Sequence, residues 1–186
     1  MLKLTVKKDY VIHLAQLCSV EASRRWLQGI YFETDSNIMV ATDGHRLGFY
    51  KQGFALHLDS GYSGTDSGYI IKFNKSTISK LKKLPKKVEY IEFDIDERFD
   101  IKFEGESCGE IIDGTFPDWR RVCPQLNGAD RVEVKDIAFN SQYLSSFGRF
   151  PHVEFYQSNG IGACIVMGIT DFTNPDFVGV LMPMKV

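Results

Sequence analysis

Thr42-Asp43-Gly44-His45-Arg46 is a knot of polar side chains in the middle of NIMVATDGHRLGFY, Asn37 to Tyr50, a stretch that otherwise reads as a strand. Successive strand residues alternate faces, so Asp43 and His45 can share one and offer an acid and a base. No third ligand or nucleophile is spaced to join them. The four histidines, His13, His45, His57 and His152, form no H-x-x-x-H pair, and there is no Gly-rich phosphate loop, G-x-S-x-G or paired-carboxylate motif. The expectation is a protein that is not an enzyme and has no metal and no cofactor. Cys18, Cys108, Cys123 and Cys164 are scattered without a C-x-x-C pair, which suggests buried free thiols rather than a zinc site or a disulfide framework.

A second group is cationic. KFNKSTISKLKKLPKK holds seven lysines and no acid, and the acid-rich EYIEFDIDERFDIKFEGE follows it. The formal net charge of -2 therefore conceals a segregation that lets one surface be basic while the whole stays acidic. A plain solvated lysine face and a phosphate-facing surface both fit this pattern. The acids read as solvated strand faces.

These groups need elements to hold them. LKLTV alternates as a strand, and KKDYVIHLAQLCS puts Val11, Ile12, Leu14, Ala15 and Leu17 on a helical stripe. GIYFETDSN and IMVATDGHRLGFY follow as two strands joined through Asp35-Ser36-Asn37, and HLDSGYSGTDSG reads as a loop. The pattern then restarts with YIIKF as strand and NKSTISKLKKL as helix, with Asn74 as N-cap and Pro85 as the stop. VEYIEFDID, RFDIKFE and SCGEIID are three further strands. GTFPDWRRVCPQLNGAD is a linker. A third round runs through RVEVKDIAF as strand, NSQYLSSFGRF as helix, and HVEFYQSNG, GACIVMGI and VGVLMPMKV as strands. Pro183 fits poorly in a central strand, so VLMPMKV reads either as a core strand or as an edge or terminal segment. The chain is an α+β protein of three strand-helix-strand units, alike in order and length but not in residues.

With 186 residues, 44% of them hydrophobic and 13% aromatic, there is enough apolar material for one large domain or two small ones. No apolar run approaches the roughly 18 residues of a membrane span, and MLKLTVKKDY lacks a signal-peptide core. A soluble, cytoplasmic protein is expected.

WLQGIYFETDSNIMVATDGHRLGFY, IIDGTFPDWRRVCP and VLMPMKV each resemble the corresponding stretch of bacterial beta sliding clamps, the processivity subunit of DNA polymerase III. The resemblance covers nearly the whole chain with a gap. Residues 1-124 resemble the complete middle clamp domain, and residues 125-186 resemble the second half of the last domain. A clamp protomer has three domains made of six such units, so the resemblance implies half a protomer with the DNA-clamp fold.

It also implies roles. In the family a pocket between the middle and last domains docks short linear peptides of polymerases, the clamp loader and repair proteins. By position it would draw on Leu27, Thr42, Gly44, His45, Arg46 and Leu47, then on Pro117, Arg121 and Val122 of the linker. Asn140, Tyr143, Ile161, Ala163, Val180, Leu181, Met182, Pro183 and Met184 would come from the last unit. Such a list gives an apolar, methionine-rich concavity for an extended peptide, with Arg46, Arg121 and Asn140 to fix its polar groups. An aromatic wall that the family builds from the missing half-domain has no counterpart here.

Duplex DNA would be met through phosphates, without regard to sequence, by Lys75 and Lys82 and by Arg24, Arg25 and Trp26 of SRRW. Lys7, Lys8 and Arg149 are weaker candidates. The resemblance thus implies a processivity factor of DNA replication or repair, a homo-oligomer in which two half-domains rebuild a domain as a dimer, with a tetrameric ring possible. The alternative is a clamp mimic or decoy that binds clamp-interacting peptides, or a host clamp, without encircling DNA.

Overall fold

The computed structural model describes residues 2-58, 68-96, 98, 100-123, 138-148, 150, 153-157, 164-168 and 177-184. Leu2, Leu4 and Val6 alternate inward along β1 (Leu2–Lys7), as a period of two requires. The chain then turns into α1 (Lys8–Leu14), which buries Tyr10, Val11 and Leu14. The helix is shorter than its apolar stripe suggested: Gln16 and Leu17 already bond back by three residues, and Leu17 is buried from that turn.

β2 (Ile30–Glu33), β3 (Ile38–Thr42) and β4 (Arg46–Lys51) form an antiparallel meander. The stretch expected as a single strand from Ile38 to Tyr50 is therefore two strands, and the polar knot is the turn between them. β5 (Phe54–Leu58), not foreseen as a strand, continues beyond Gln52 and Gly53 and pairs with β1.

The second unit repeats this with β6 (Gly68–Phe73), α2 (Lys75–Lys83), β7 (Tyr90–Ile95), β8 (Asp100–Phe103) and β9 (Glu106–Ile112). Thr77 and Leu81, four apart on one face of α2, are buried, while Lys75, Lys82 and Lys83 face solvent. Asn74 stands at the N-cap without a side-chain cap bond. Its N–H instead donates to the Cys108 carbonyl at 2.9 Å, which the Thr77 hydroxyl also reaches at 3.0 Å. The acids of the following strands lie among lysines, as in Lys3–Glu92 at 2.7 Å and Lys102–Asp96 at 3.0 Å.

The third unit comprises α3 (Ser141–Ser145), β10 (Val153–Gln157), β11 (Cys164–Gly168) and β12 (Phe177–Leu181). Most of the strand expected at 131-139 lies outside the described residues, as does the expected domain boundary at 124/125. Ala138 forms a bridge to Met184.

The twelve strands of the described residues belong to one sheet in the order β10-β11-β12-β4-β3-β2-β6-β9-β8-β7-β1-β5. Two pairings lock the first two units together: β2 with β6, aligning Ile30 with Ile71, and β1 with β7, aligning Leu4 with Phe93. The third unit joins through β12, which lies antiparallel along β4 with Gly179 opposite Gly48 and Val180 opposite Leu47. Alternation along this ladder feeds two cores. Tyr50, Phe177 and Leu181 enter the larger one with α1, and Leu47, Phe49, Val178 and Val180 join Phe116 and Trp119 of the linker on the other face. Among the described residues no helix is long and apolar enough to cross a membrane.

Candidate functional site

The turn between β3 and β4 is tied by its own side chains. The Asp43 carboxylate accepts the backbone N–H of His45 at 2.9 Å and of Arg46 at 3.0 Å, and pairs with the Arg46 Nε at 3.0 Å. The Thr42 hydroxyl donates to the Arg46 carbonyl at 2.7 Å and accepts the Gly44 N–H at 3.0 Å. Gly44 has φ 92, in the left-handed region where glycine is favoured, and a Cβ there would come 2.6 Å from the Arg24 Nη1. Asp43 and His45 consequently form no acid-base pair. The carboxylate is consumed by the turn, and the imidazole stacks on Tyr143 with ring centres 5.5 Å apart.

Arg46 extends this framework. Its Nη2 donates to the Gln16 carbonyl at 2.8 Å, and its guanidinium lies over the Tyr143 ring at 5.1 Å. Residues after α1, the turn and α3 are thereby held together.

Beside the turn, where β12 meets β4, opens a cavity of about 220 Å³. Its floor is apolar: Leu27, Leu47, Val180 and Trp119 are all nearly buried. Thr42, Gly44, His45 and Arg46 form one side, Pro117, Asp118 and Val122 the other, and Met182 stands at the rim. Val122 and Met182 are half exposed, so apolar surface remains open to solvent. The Met182 N–H donates to the His45 carbonyl at 3.1 Å, which fixes the rim to the turn.

Ten residues expected in the pocket from sequence thus share one cavity. Leu181 does not: the strand's alternation turns it into the larger core, where it is fully buried. Asn140 is engaged at the start of α3, its side-chain oxygen accepting the Gln142 N–H at 2.9 Å. Tyr143 adjoins the cavity through His45 and Arg46. Arg121, Pro183 and Met184 do not line it. Ile161 and Ala163 lie outside the described residues.

Asp118 and Trp119 are lining residues that sequence reasoning missed. The linker carrying them is latched by Arg120, whose guanidinium donates to Glu33 at 2.6 Å and lies 4.3 Å over the Trp119 ring. That guanidinium holds the Glu33 carboxyl below its ordinary value. A buried Trp in a Pro-Asp-Trp run was the available signal.

Two of the cationic candidates, Lys75 and Lys82, share a second surface. Beside the end of α1 and along α2 lies a groove of about 540 Å³, lined by Gln16, Val20, Gln28, Lys72, Lys75 and Lys82 among others. Lys75 and Lys82 have no ion pair among the described residues, whereas Lys80 is engaged by Glu104 at 2.7 Å. Arg25 and Lys72 share Glu110 at 3.7 and 3.6 Å, and Trp26 is 43% exposed.

Arg24, its side chain 43% exposed, reaches toward the β3–β4 turn instead, donating to the Asp43 carbonyl at 3.3 Å and pairing with Glu21 at 3.2 Å. Lys8 is a correction: it is buried, and its ammonium donates to the Pro85 carbonyl at 3.0 Å, where no phosphate can reach it. Lys7 bonds the Tyr10 hydroxyl at 3.2 Å, and Arg149 lies outside the described residues. Burial lifts the Cys18 and Cys108 thiols to about 12, so both are protonated at neutral pH. Among the described residues no three His, Cys, Asp or Glu side chains gather as a metal site.

No protein-family model matches the sequence, and no curated protein matches it significantly. Solved structures do match. A DNA polymerase III beta sliding clamp from Bartonella birtlesii, bound to griselimycin, superposes with a TM-score of 0.67 at 23% identity, covering 99% of this chain and 66% of that one. The DNA polymerase sliding clamp of Pseudomonas aeruginosa gives 0.66 at 19%, covering 100% and 67%. The beta subunit of DNA polymerase III from Borrelia burgdorferi gives 0.67 at 16%, covering 99% and 64%. The chain has the sliding-clamp fold and spans about two thirds of the length of these clamps.

Proposed function

We propose that this chain is a non-catalytic subunit of the sliding-clamp type, which surrounds or contacts duplex DNA and docks short linear peptides of polymerases, a clamp loader or repair proteins. The observation that carries this reading is the assembly of one apolar cavity from three distant segments, the β3–β4 turn, the linker and β12, at the ladder joining the first two units to the third. A floor of buried aliphatic side chains beneath half-exposed Val122 and Met182 suits the apolar anchors of an extended peptide. His45, Arg46 and Asp118 at its sides offer polar partners. The lysines of α2 supply a sequence-independent phosphate surface. These assignments make the chain a component of DNA replication or repair that acts with further copies of itself.

Isothermal titration with a clamp-binding peptide tests the reading. Micromolar binding is expected, on the order of -8 kcal/mol. Met182→Ala should weaken it by roughly 1 to 3 kcal/mol, and since this side chain stands at the rim the melting temperature should stay unchanged. Absence of heat at high peptide concentration would reject the pocket.

A further inference from the structure

Trp119 is the largest side chain lining the cavity beside the β3–β4 turn. The indole is 6% exposed and leans on Phe49 with ring centres 4.8 Å apart. Its N–H is buried with no hydrogen-bond partner among the described residues, a state that costs stability unless a neighbour offsets it. The acceptor it faces is the Glu33 carboxylate at the end of β2. After Arg120 and Ser36, the indole N–H helps to hold that carboxyl below its ordinary value, close enough for this effect but not for a hydrogen bond of normal geometry. The carboxylate is already claimed: Arg120 Nη1 donates to one oxygen at 2.6 Å, and the Ser36 hydroxyl donates to the other. The same guanidinium lies 4.3 Å over the Trp119 ring. The ring is thus held on its face by Arg120 and at its N–H edge by Glu33, while Glu33 itself does not line the cavity.

We propose that Glu33 is a positioning residue of the docking cavity: through Arg120 and the indole N–H it fixes the tilt of the Trp119 ring, and so sets the affinity for an apolar peptide anchor that it does not touch. The proposal deepens the docking reading and rests on it. A floor whose setting is fixed before the peptide arrives need not be ordered on binding, which spares that part of the entropy cost. Arg120 is half exposed and Glu33 is only 13% exposed, so the acid is the fixed end of the latch and the guanidinium the mobile one. Without the carboxylate, Arg120 is free to leave the ring for water, and nothing then holds either the face or the edge of the indole. In a cavity of about 220 Å³ a small tilt of its largest side chain changes the depth available to an anchor.

Titration calorimetry with a clamp-binding peptide measures the affinity, and the indole N–H resonance of Trp119 measures the ring. The chain has two tryptophans, so that resonance is identified by its loss in Trp119→Phe. Glu33→Gln, which keeps the shape and removes the charge, should raise the dissociation constant about threefold to tenfold, the span expected when one large side chain must be ordered on binding. It should also shift the indole resonance of the peptide-free protein. Arg120→Lys keeps the cation but loses the planar two-point contact, and should act in the same direction. Thr77→Val is the control. It removes the bond to the Cys108 carbonyl and lowers stability away from the cavity lining, so it should change neither readout. A Glu33→Gln chain that melts earlier yet binds peptide like wild type overturns the proposal. So does weakened binding with the indole resonance unmoved, or an equal loss of affinity in Thr77→Val. Wild-type protein that binds no peptide sinks the docking reading and the proposal with it, whereas binding that ignores the change at Glu33 sinks the proposal alone.

Discussion

Asp43 is engaged within the turn, and the shape of the pocket depends on it. Its carboxylate holds two backbone amides and the guanidinium of Arg46, and both acid and base are only 15% exposed. Asp43→Ala leaves that guanidinium without its carboxylate and frees the turn, so a loss of roughly 1 to 3 kcal/mol is expected in urea denaturation, with a parallel loss of peptide affinity. Unchanged stability would show that Thr42 alone holds the turn. Glu33 should make the linker latch sensitive to acid. Its carboxyl lies below its ordinary value of 4.5 in the folded chain, so its contribution is complete above that value and is lost as pH falls through the depressed one. The melting-temperature gap between wild type and Glu33→Gln should be widest near neutral pH, corresponding to at most about 1 kcal/mol for a pair this exposed, and should close in acid. A gap independent of pH would assign the effect to packing. That Thr42, Gly44, His45, Arg46 and Leu47 would lie together was expected through resemblance, but the conformation that brings them together was not. Met39 to Ala41 before the knot and Leu47 to Tyr50 after it are buried without a break, on one face or the other, and that continuity hid a turn made by two short side chains. The Asp43-Gly44 dipeptide was the local clue.

At the scale of elements, the ladder between β4 and β12 governs the site, and two facing glycines permit it. A Cβ on Gly48 would lie 2.5 Å from Leu17, and one on Gly179 would lie 2.4 Å from the Phe147 ring. Gly179→Ala should therefore cost about 1 to 3 kcal/mol through overpacking. Because the cavity straddles the same ladder, peptide affinity should fall with it, read by titration at a temperature where the variant is still folded. Wild-type stability would mean that Phe147 rotates out of the way. Strand and helix order in the second unit was readable from alternation and capping residues, while in the first unit one expected strand proved to be two. The β4–β12 pairing was not, because contacts between distant segments leave no local period. β5 escaped notice for a related reason: its last two residues, His57 and Leu58, open a run rich in Gly, Ser and Asp that reads as a loop.

Across the whole molecule, lysines and acids interleave more than their segregation along the sequence suggested. Lys80 is neutralised by Glu104 and Glu106, and Lys72 leans on Glu110, which leaves Lys75 and Lys82 as the cations along the groove without an ion pair among the described residues. If each meets one phosphate, the double change to Ala should lower the salt slope of duplex binding by about 1 to 2 units, and equally for unrelated sequences. A slope left unchanged would return α2 to a plain solvated face. Pairing partners were visible only in the folded chain, since they come from strands far along the sequence. The ladder between β4 and β12 also sets an order of events during synthesis. Residues 46-51 leave the ribosome long before residues 177-181, so the early strand must wait for its late partner, and such distant closure is slow. A chain interrupted between Val122 and Val180 would carry the turn and the linker but not the strand that closes the cavity with them. Such incomplete products would fold their first two units and lack the proposed docking cavity.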